Sequence, residues 1–241
     1  MKRISRLLGV LFVALISLGA SAPMDTALDP GDPSLTPAER LEALLLRFQK
    51  TGQTVLSMEA AFTQHKESTL LLEPIVSTGE FSFVAPDKVR WEYVDPDPIS
   101  MTIVDGEMVT WYRDLHQAER MVIDDQAERI LAYVGAGSSI RELLRYFDVS
   151  LRVASDPGAP YELELLPRYP RVAKRLSRLN VWIHSESYLV TRLRYVEPDG
   201  DITQYDFAEF ELNGEVPDDR FDLAIPSSVD LRVVEFGAEG R

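Results

Sequence analysis

Between residues 36 and 50 the apolar positions recur every three or four residues, with Leu41, Leu44, Leu45 and Phe48 on one stripe. That spacing predicts an amphipathic helix from Pro37 to about Lys50. Thr36-Pro37-Ala38-Glu39 marks its start with an N-cap hydroxyl, a proline at the first helical position and a glutamate placed to complete a capping box. Thr51-Gly52 is expected to end it. From Leu56 the period changes to two. Met58, Ala60 and Phe62 share one strand face, and Glu59, Ala61 and Thr63 the other. Leu70 to Val76 forms a second apolar run that stops at Gly79. Phe81 and Phe83 then alternate with Glu80 and Ser82 up to the strand breaker Pro86, and Val89, Trp91 and Tyr93 alternate with Arg90 and Glu92. Met101 and Ile103 precede Asp105-Gly106, a two-residue hairpin turn, and Val109 and Trp111 return beyond it. Residues 56 to 123 therefore read as a meander of antiparallel strands.

The middle of the chain has a different period. A helix is expected from Asp124-Asp125-Gln126 onward, carrying Ile130, Leu131 and Val134, with Gly135-Ala136-Gly137 as a joint. Ser139-Ile140-Arg141-Glu142 opens a second short helix carrying Leu143, Leu144 and Phe147. Strands resume at Leu151–Val153 and Tyr161–Leu166, and continue at Leu179–His184, Leu189–Val196 and Ile202–Leu212. Phe221, Leu223 and Ile225 form a last edge strand before Pro226. The sum is an α+β chain of roughly ten antiparallel strands, and a sheet that long curls. Its concave face needs a cover, and the three amphipathic helices can supply one.

Two features of composition change this picture. The first is the amino terminus, where Lys2, Arg3 and Arg6 precede an uncharged apolar run from Leu7 to Ala20 and the small residues Gly19-Ala20-Ser21-Ala22. This is the pattern of a secretory signal peptide over residues 1–22. Residues 23–35, with three prolines and three aspartates, read as a flexible leader. A single domain follows at 36–234, with a loose tail at 235–241. The second feature is charge: the chain carries 25 bases against 39 acids, a net −14. Removing the three signal-peptide bases, with no acid among them, makes this −17. Such an excess repels a polyanion, so no nucleic acid is expected as a partner. With no cysteine in the chain, thiol catalysis, thiolate metal sites and lipid attachment through a cysteine are all excluded. An exported, unanchored chain, expected to be monomeric, is the result.

No reaction announces itself. His65, His116 and His184 lie far apart in sequence with no HExxH or HxH spacing, so no metal or other cofactor is implied. The nucleophile elbow GxSxG is absent, and Gly135-Ala136-Gly137-Ser138 lacks the lysine and third glycine of a phosphate loop. The acidic groups Asp124, Asp125 and Glu128, and Asp218, Asp219 and Asp222, leave a glycosidase-type carboxylate pair as an alternative. What stands out instead is one apolar strand face: Phe81, Phe83, Val89, Trp91, Tyr93, Met101, Ile103, Val109 and Trp111. Periodicity leaves open whether it is an ordinary core or the lining of a hollow for a greasy ligand.

At these residues the chain resembles the LolA family of periplasmic outer-membrane lipoprotein carriers. Four pieces match in order: Phe62-Thr63-Gln64; Gly79 to Pro86 leading into Arg90-Trp91-Glu92-Tyr93; Ile103-Val104-Asp105-Gly106 followed by Val109, Trp111 and Tyr112; and Phe221-Asp222-Leu223-Ala224-Ile225-Pro226. The resemblance implies an incomplete, strongly curved β-barrel with a helical lid over an apolar cavity. The apolar strand face would bind acyl chains, and Ile130, Leu131, Val134, Leu143 and Leu144 would belong to the lid. It further implies an acylated lipoprotein cargo, an inner-membrane ABC transporter that releases it and an outer-membrane receptor that takes it. A periplasmic sensor of the same fold, or a carrier of another lipid, is the alternative. One departure concerns the lid: where well-known members carry an arginine before the strand-breaking proline, this chain has Ala85.

Overall fold

The computed structural model describes residues 28–122, 145–156 and 158–234. Helix α1 spans Pro37–Thr54, four residues past the expected end, so Thr51-Gly52 is helical and Val55 caps it. The start is as the sequence dictates: Thr36 accepts from the Glu39 amide while the Glu39 carboxylate takes the Thr36 amide. Ala43, Leu44, Leu45 and Phe48 form its buried stripe.

Twelve strands follow in one sheet. They are β1 (Ser57–Glu67), β2 (Ile75–Val84), β3 (Lys88–Asp95), β4 (Ile99–Val104), β5 (Glu107–Tyr112), β6 (Gln117–Val122), β7 (Phe147–Arg152), β8 (Tyr161–Pro167), β9 (Arg178–Ile183), β10 (Val190–Val196), β11 (Ile202–Leu212) and β12 (Asp230–Val234). The spatial order is β12-β6-β5-β4-β3-β2-β1-β11-β10-β9-β8-β7, with β12 and β7 outermost among the described residues. All neighbours are antiparallel except β12, which runs parallel to β6. Two meanders, β1–β6 and β7–β11, are thus joined through the β1–β11 pair.

Four expectations need correction. Among the described residues the strand count is twelve rather than ten. Phe221-Ile225 is not a strand: Asp218–Phe221 is a 3₁₀ turn and the closing strand is β12. Leu70–Val76 is not a strand over its whole length, because Leu70, Leu71 and Leu72 occupy the exposed β1–β2 connection. Phe147 is not on the second short helix but opens strand β7, where it pairs with Pro167. The expected signal peptide and tail, and the lid positions Ile130, Leu131, Val134, Leu143 and Leu144, fall outside the described residues.

The sheet is strongly curved, and ring contacts measure the curvature. Trp91 on β3 and Tyr205 on β11 are three strand spacings apart, about 14 Å on a flat sheet. Their ring centroids lie 5.3 Å apart. The inner face is therefore folded onto itself, and α1 buries its apolar stripe in the same core. The outer face of β2–β4 is covered by the C-terminal segment. Arg90 donates to the Arg220 carbonyl, Arg220 donates to Ser82 and Glu80, and Phe221 is buried.

Candidate functional site

Pairing register sorts the predicted face residue by residue. Phe81↔Trp91↔Met101 and Phe83↔Val89↔Ile103 are directly opposed across β2, β3 and β4, so all six point inward together. Tyr93 and Ile99 continue the inner row. Phe81, Phe83 and Val89 are 0% exposed and Trp91 1%. Met101 and Ile103 are buried and Tyr93 is half-buried.

Val109 and Trp111 belong to the opposite face. The Asp105-Gly106 turn pairs Val104 with Glu107, so Ile103 meets Met108 and Met101 meets Thr110. A two-residue turn thereby joins odd-numbered positions on β4 to even-numbered positions on β5. Val109 is opposed to Thr102 and Trp111 to Ser100, on the outer face, where the Arg113 guanidinium lies over the Trp111 ring at 5.1 Å. Met108, Thr110 and Tyr112 take the inward places on β5, and that exchange could have been read from the turn length alone. Ile130, Leu131, Val134, Leu143 and Leu144 lie outside the described residues.

The site also draws on β1 and β11, which the sequence marked as strands but not as lining. Trp91 is ringed by Phe81 at 4.9 Å, Phe62 at 5.0 Å, Tyr205 at 5.3 Å and Phe207 at 5.9 Å, mostly edge to face. That geometry sets the positive ring edge of one aromatic against the negative face of the next. Toward the end of the sheet that carries the β1–β2 connection, this apolar surface gives way to a polar chain. Gln64 donates to the Tyr205 hydroxyl at 2.6 Å, and that hydroxyl lies 3.1 Å from the Tyr93 hydroxyl. Burial pushes both phenols well above their ordinary ionisation range, so they are neutral hydrogen-bonding groups at any physiological pH. Gln64 and Tyr93 are half-buried whereas Trp91 is sealed, so the inner face runs from a polar rim to a dry aromatic interior.

Under the C-terminal half of α1, Phe48, Val55, Met58, Val190 and Phe207 line a pocket of about 20 Å³. That is room for about one water. Among the described residues no group of three or more His, Asp or Glu is placed to hold a metal ion. Ala85 donates its amide to the Leu56 carbonyl at 2.8 Å and packs on the core.

A curved antiparallel sheet with an aromatic inner face and a helix packed into it is the setting for the comparisons with known proteins. A family model described as "Outer membrane lipoprotein carrier protein LolA" matches residues 53–224. This chain belongs to the LolA family. An outer-membrane lipoprotein carrier protein of Alkalilimnicola ehrlichii is 30% identical over 186 residues, covering 76% of this chain and 79% of that one. Another, from Methylibium petroleiphilum, is 26% identical over 184 residues, covering 76% and 82%. In fold alone, an uncharacterized conserved protein of Thermus thermophilus superposes with a TM-score of 0.51 at 11% identity, covering 81% of this chain and 99% of that one. The LolA match takes in every described inward position on β1–β11 and the outer-face Phe221, while α1 begins before it.

Proposed function

We propose that this protein is a periplasmic carrier that holds lipoprotein acyl chains against its aromatic inner face and ferries them from the inner to the outer membrane. The observation that carries this reading is the continuous inward row of Phe81, Phe83, Val89, Trp91, Met101 and Ile103 on a sheet curved enough to wrap a chain. Its family supports the reading, as does the signal-peptide pattern at residues 1–22. The work consists of binding and release. An inner-membrane ABC transporter supplies the cargo and an outer-membrane receptor takes it. The segment bearing Ile130, Leu131, Val134, Leu143 and Leu144 acts as the lid. With Ala85 in place of the family's arginine, that lid closes by apolar contact.

The three tryptophans provide the test. Trp91 faces inward, whereas Trp111 faces outward, and Trp182 lies on the outer face beneath Arg192. In a W111F/W182F variant, all tryptophan emission comes from Trp91. A fatty acid brominated along its chain should quench that emission to a saturable limit. A W91F variant should keep most of its emission under the same titration. Equal quenching of both variants, or none in either, would remove the inner face from the role of acyl site.

A further inference from the structure

The β8–β9 connection carries an unusual concentration of positive charge for a chain of net −14. Arg168, Arg171, Lys174, Arg175 and Arg178 fall in a stretch that contains no acid. Arg168 is spent on Asp148 at 2.7 Å and Arg178 on Glu164 at 3.5 Å. Arg171, Lys174 and Arg175 are exposed and make no ion pair among the described residues. They are nonetheless held in place. The short helix α2 (Pro170–Ala173) and the bond from the Leu176 amide to the Val172 carbonyl order the segment, and Leu176 is buried beneath it. Leu166 and Tyr169, 43% and 45% exposed, flank the bases.

A second exposed feature stands at the same end of the sheet. Strands β1 and β8 run in the same direction through the alternating order β1-β11-β10-β9-β8, so the connections that follow them emerge together. The connection after β1 carries Leu70, Leu71 and Leu72, which are 69%, 38% and 105% exposed. Pairing with β3 stops at Thr78↔Asp95, and pairing with β11 at Glu67↔Ile202. Residues 68 to 74 therefore project past both neighbouring strands, and three adjacent leucines at such a tip mark a contact surface.

We propose that this end of the molecule docks on the surface of an anionic phospholipid bilayer. The unpaired bases of the β8–β9 connection meet the headgroups, and the leucine tip enters the boundary with the acyl chains. Neither feature suffices alone. Glu67 and Glu73 flank the leucines, and Asp199 and Asp201 occupy the adjoining β10–β11 turn, so an anionic surface repels the tip by itself. The bases supply the attraction, and an apolar insertion coupled to a basic patch is the pairing that reversible membrane attachment requires. An acidic protein partner would use the bases but leave the leucines in water. The remaining excess of negative charge keeps the contact weak and easily broken by salt.

This proposal is independent of acyl binding, because neither the leucines nor the bases lie on the inner face. It is tested by co-sedimentation of the full chain with vesicles of phosphatidylcholine alone and of equimolar phosphatidylcholine and phosphatidylglycerol. The wild type should favour the anionic vesicles and lose them as salt is raised. R171S/K174S/R175S should weaken that association roughly a hundredfold, about fivefold for each base. L70S/L71S/L72S should abolish association while leaving the fold, read by circular dichroism, unchanged. Wild-type indifference to phosphatidylglycerol overturns the proposal, as does retention of anionic binding by the base variant. Undiminished binding by the leucine variant overturns it too, and would direct attention to an acidic protein partner.

Discussion

A methyl group placed on Gly79 would sit 2.1 Å from the Glu92 carbonyl oxygen and 2.6 Å from the Phe62 ring. The first contact is with backbone, which cannot swing aside, so alanine there must push β3 away from β2 or displace Phe62 from its place beside Trp91. Overpacking of this kind costs about 1–3 kcal/mol, and urea denaturation of Gly79→Ala should show a loss in that range. An unchanged midpoint would mean that the sheet yields at this point. Glu197, 5% exposed at the start of the β10–β11 turn, carries a different strain. Burial raises the pKa of its carboxyl above the ordinary glutamate value; Asp199 and Asp201 push the same way and Lys66 opposes them. An acid whose pKa is raised on folding stabilises the native state at pH values below its unfolded pKa, and that contribution is lost as pH rises through the folded pKa. Glu197→Gln should therefore raise Tm at neutral pH, with the gain vanishing in mild acid. A gain of equal size at both pH values would assign the effect to packing rather than to charge.

At the scale of elements, the sequence is readable where one local rule decides and opaque where neighbours do. The start of α1 needs only Thr36, Pro37 and Glu39, and it forms as expected. Its end does not: glycine at position 52 looks like a stop, yet the helix continues to Thr54, with Phe48 and Val55 already packed into the core. Tertiary burial outweighs the weak preference of one glycine. The inward row from Phe81 to Ile103 was visible in the period of two, because adjacent antiparallel strands repeat it. Hydrophobicity alone puts Val109 and Trp111 inside, but the two-residue Asp105-Gly106 turn exchanges parity and sets them on the outer face. Trp111 is apolar enough to look like core, but it rests on the outer face under Arg113. The leucine run at 70–72 misled in the same way, since periodicity cannot distinguish a buried strand from an exposed tip that is apolar for another reason. The joining of β1 to β11, and of β12 to β6 in parallel, depends on contacts between residues more than a hundred positions apart. No local pattern encodes those partners, and with them the places of Tyr205 and Phe207 beside Trp91 were hidden.

For the whole molecule, the proposed function sets a tight interior against a large ligand. A buried methylene is worth about 0.8 kcal/mol, so one long acyl chain represents roughly 10 kcal/mol taken from water. Three fully buried chains would exceed the practical ceiling of about 20 kcal/mol for non-covalent affinity. On the proposed function, transfer to a receptor would therefore be an exchange between apolar sites, in which most of this energy cancels. Uptake still has a kinetic obstacle. Phe81, Phe83 and Val89 are wholly buried, and Trp91 is enclosed by four aromatic rings at 4.9 to 5.9 Å. An acyl chain reaches that surface only after packed side chains part, and packed interiors rearrange between discrete states rather than by continuous deformation. On the proposed function, opening should therefore precede or limit binding, and the apparent affinity would be reduced by the fraction of molecules that are open. Stopped-flow mixing of the W111F/W182F variant with increasing brominated fatty acid should give a quenching rate that levels off at high ligand concentration. The plateau is the rate of opening, and Phe81→Ala, which loosens the contact with Trp91, should raise it. A rate that climbs in proportion to ligand over the whole accessible range would instead describe a hollow already open to the chain, and closure would then have to follow binding.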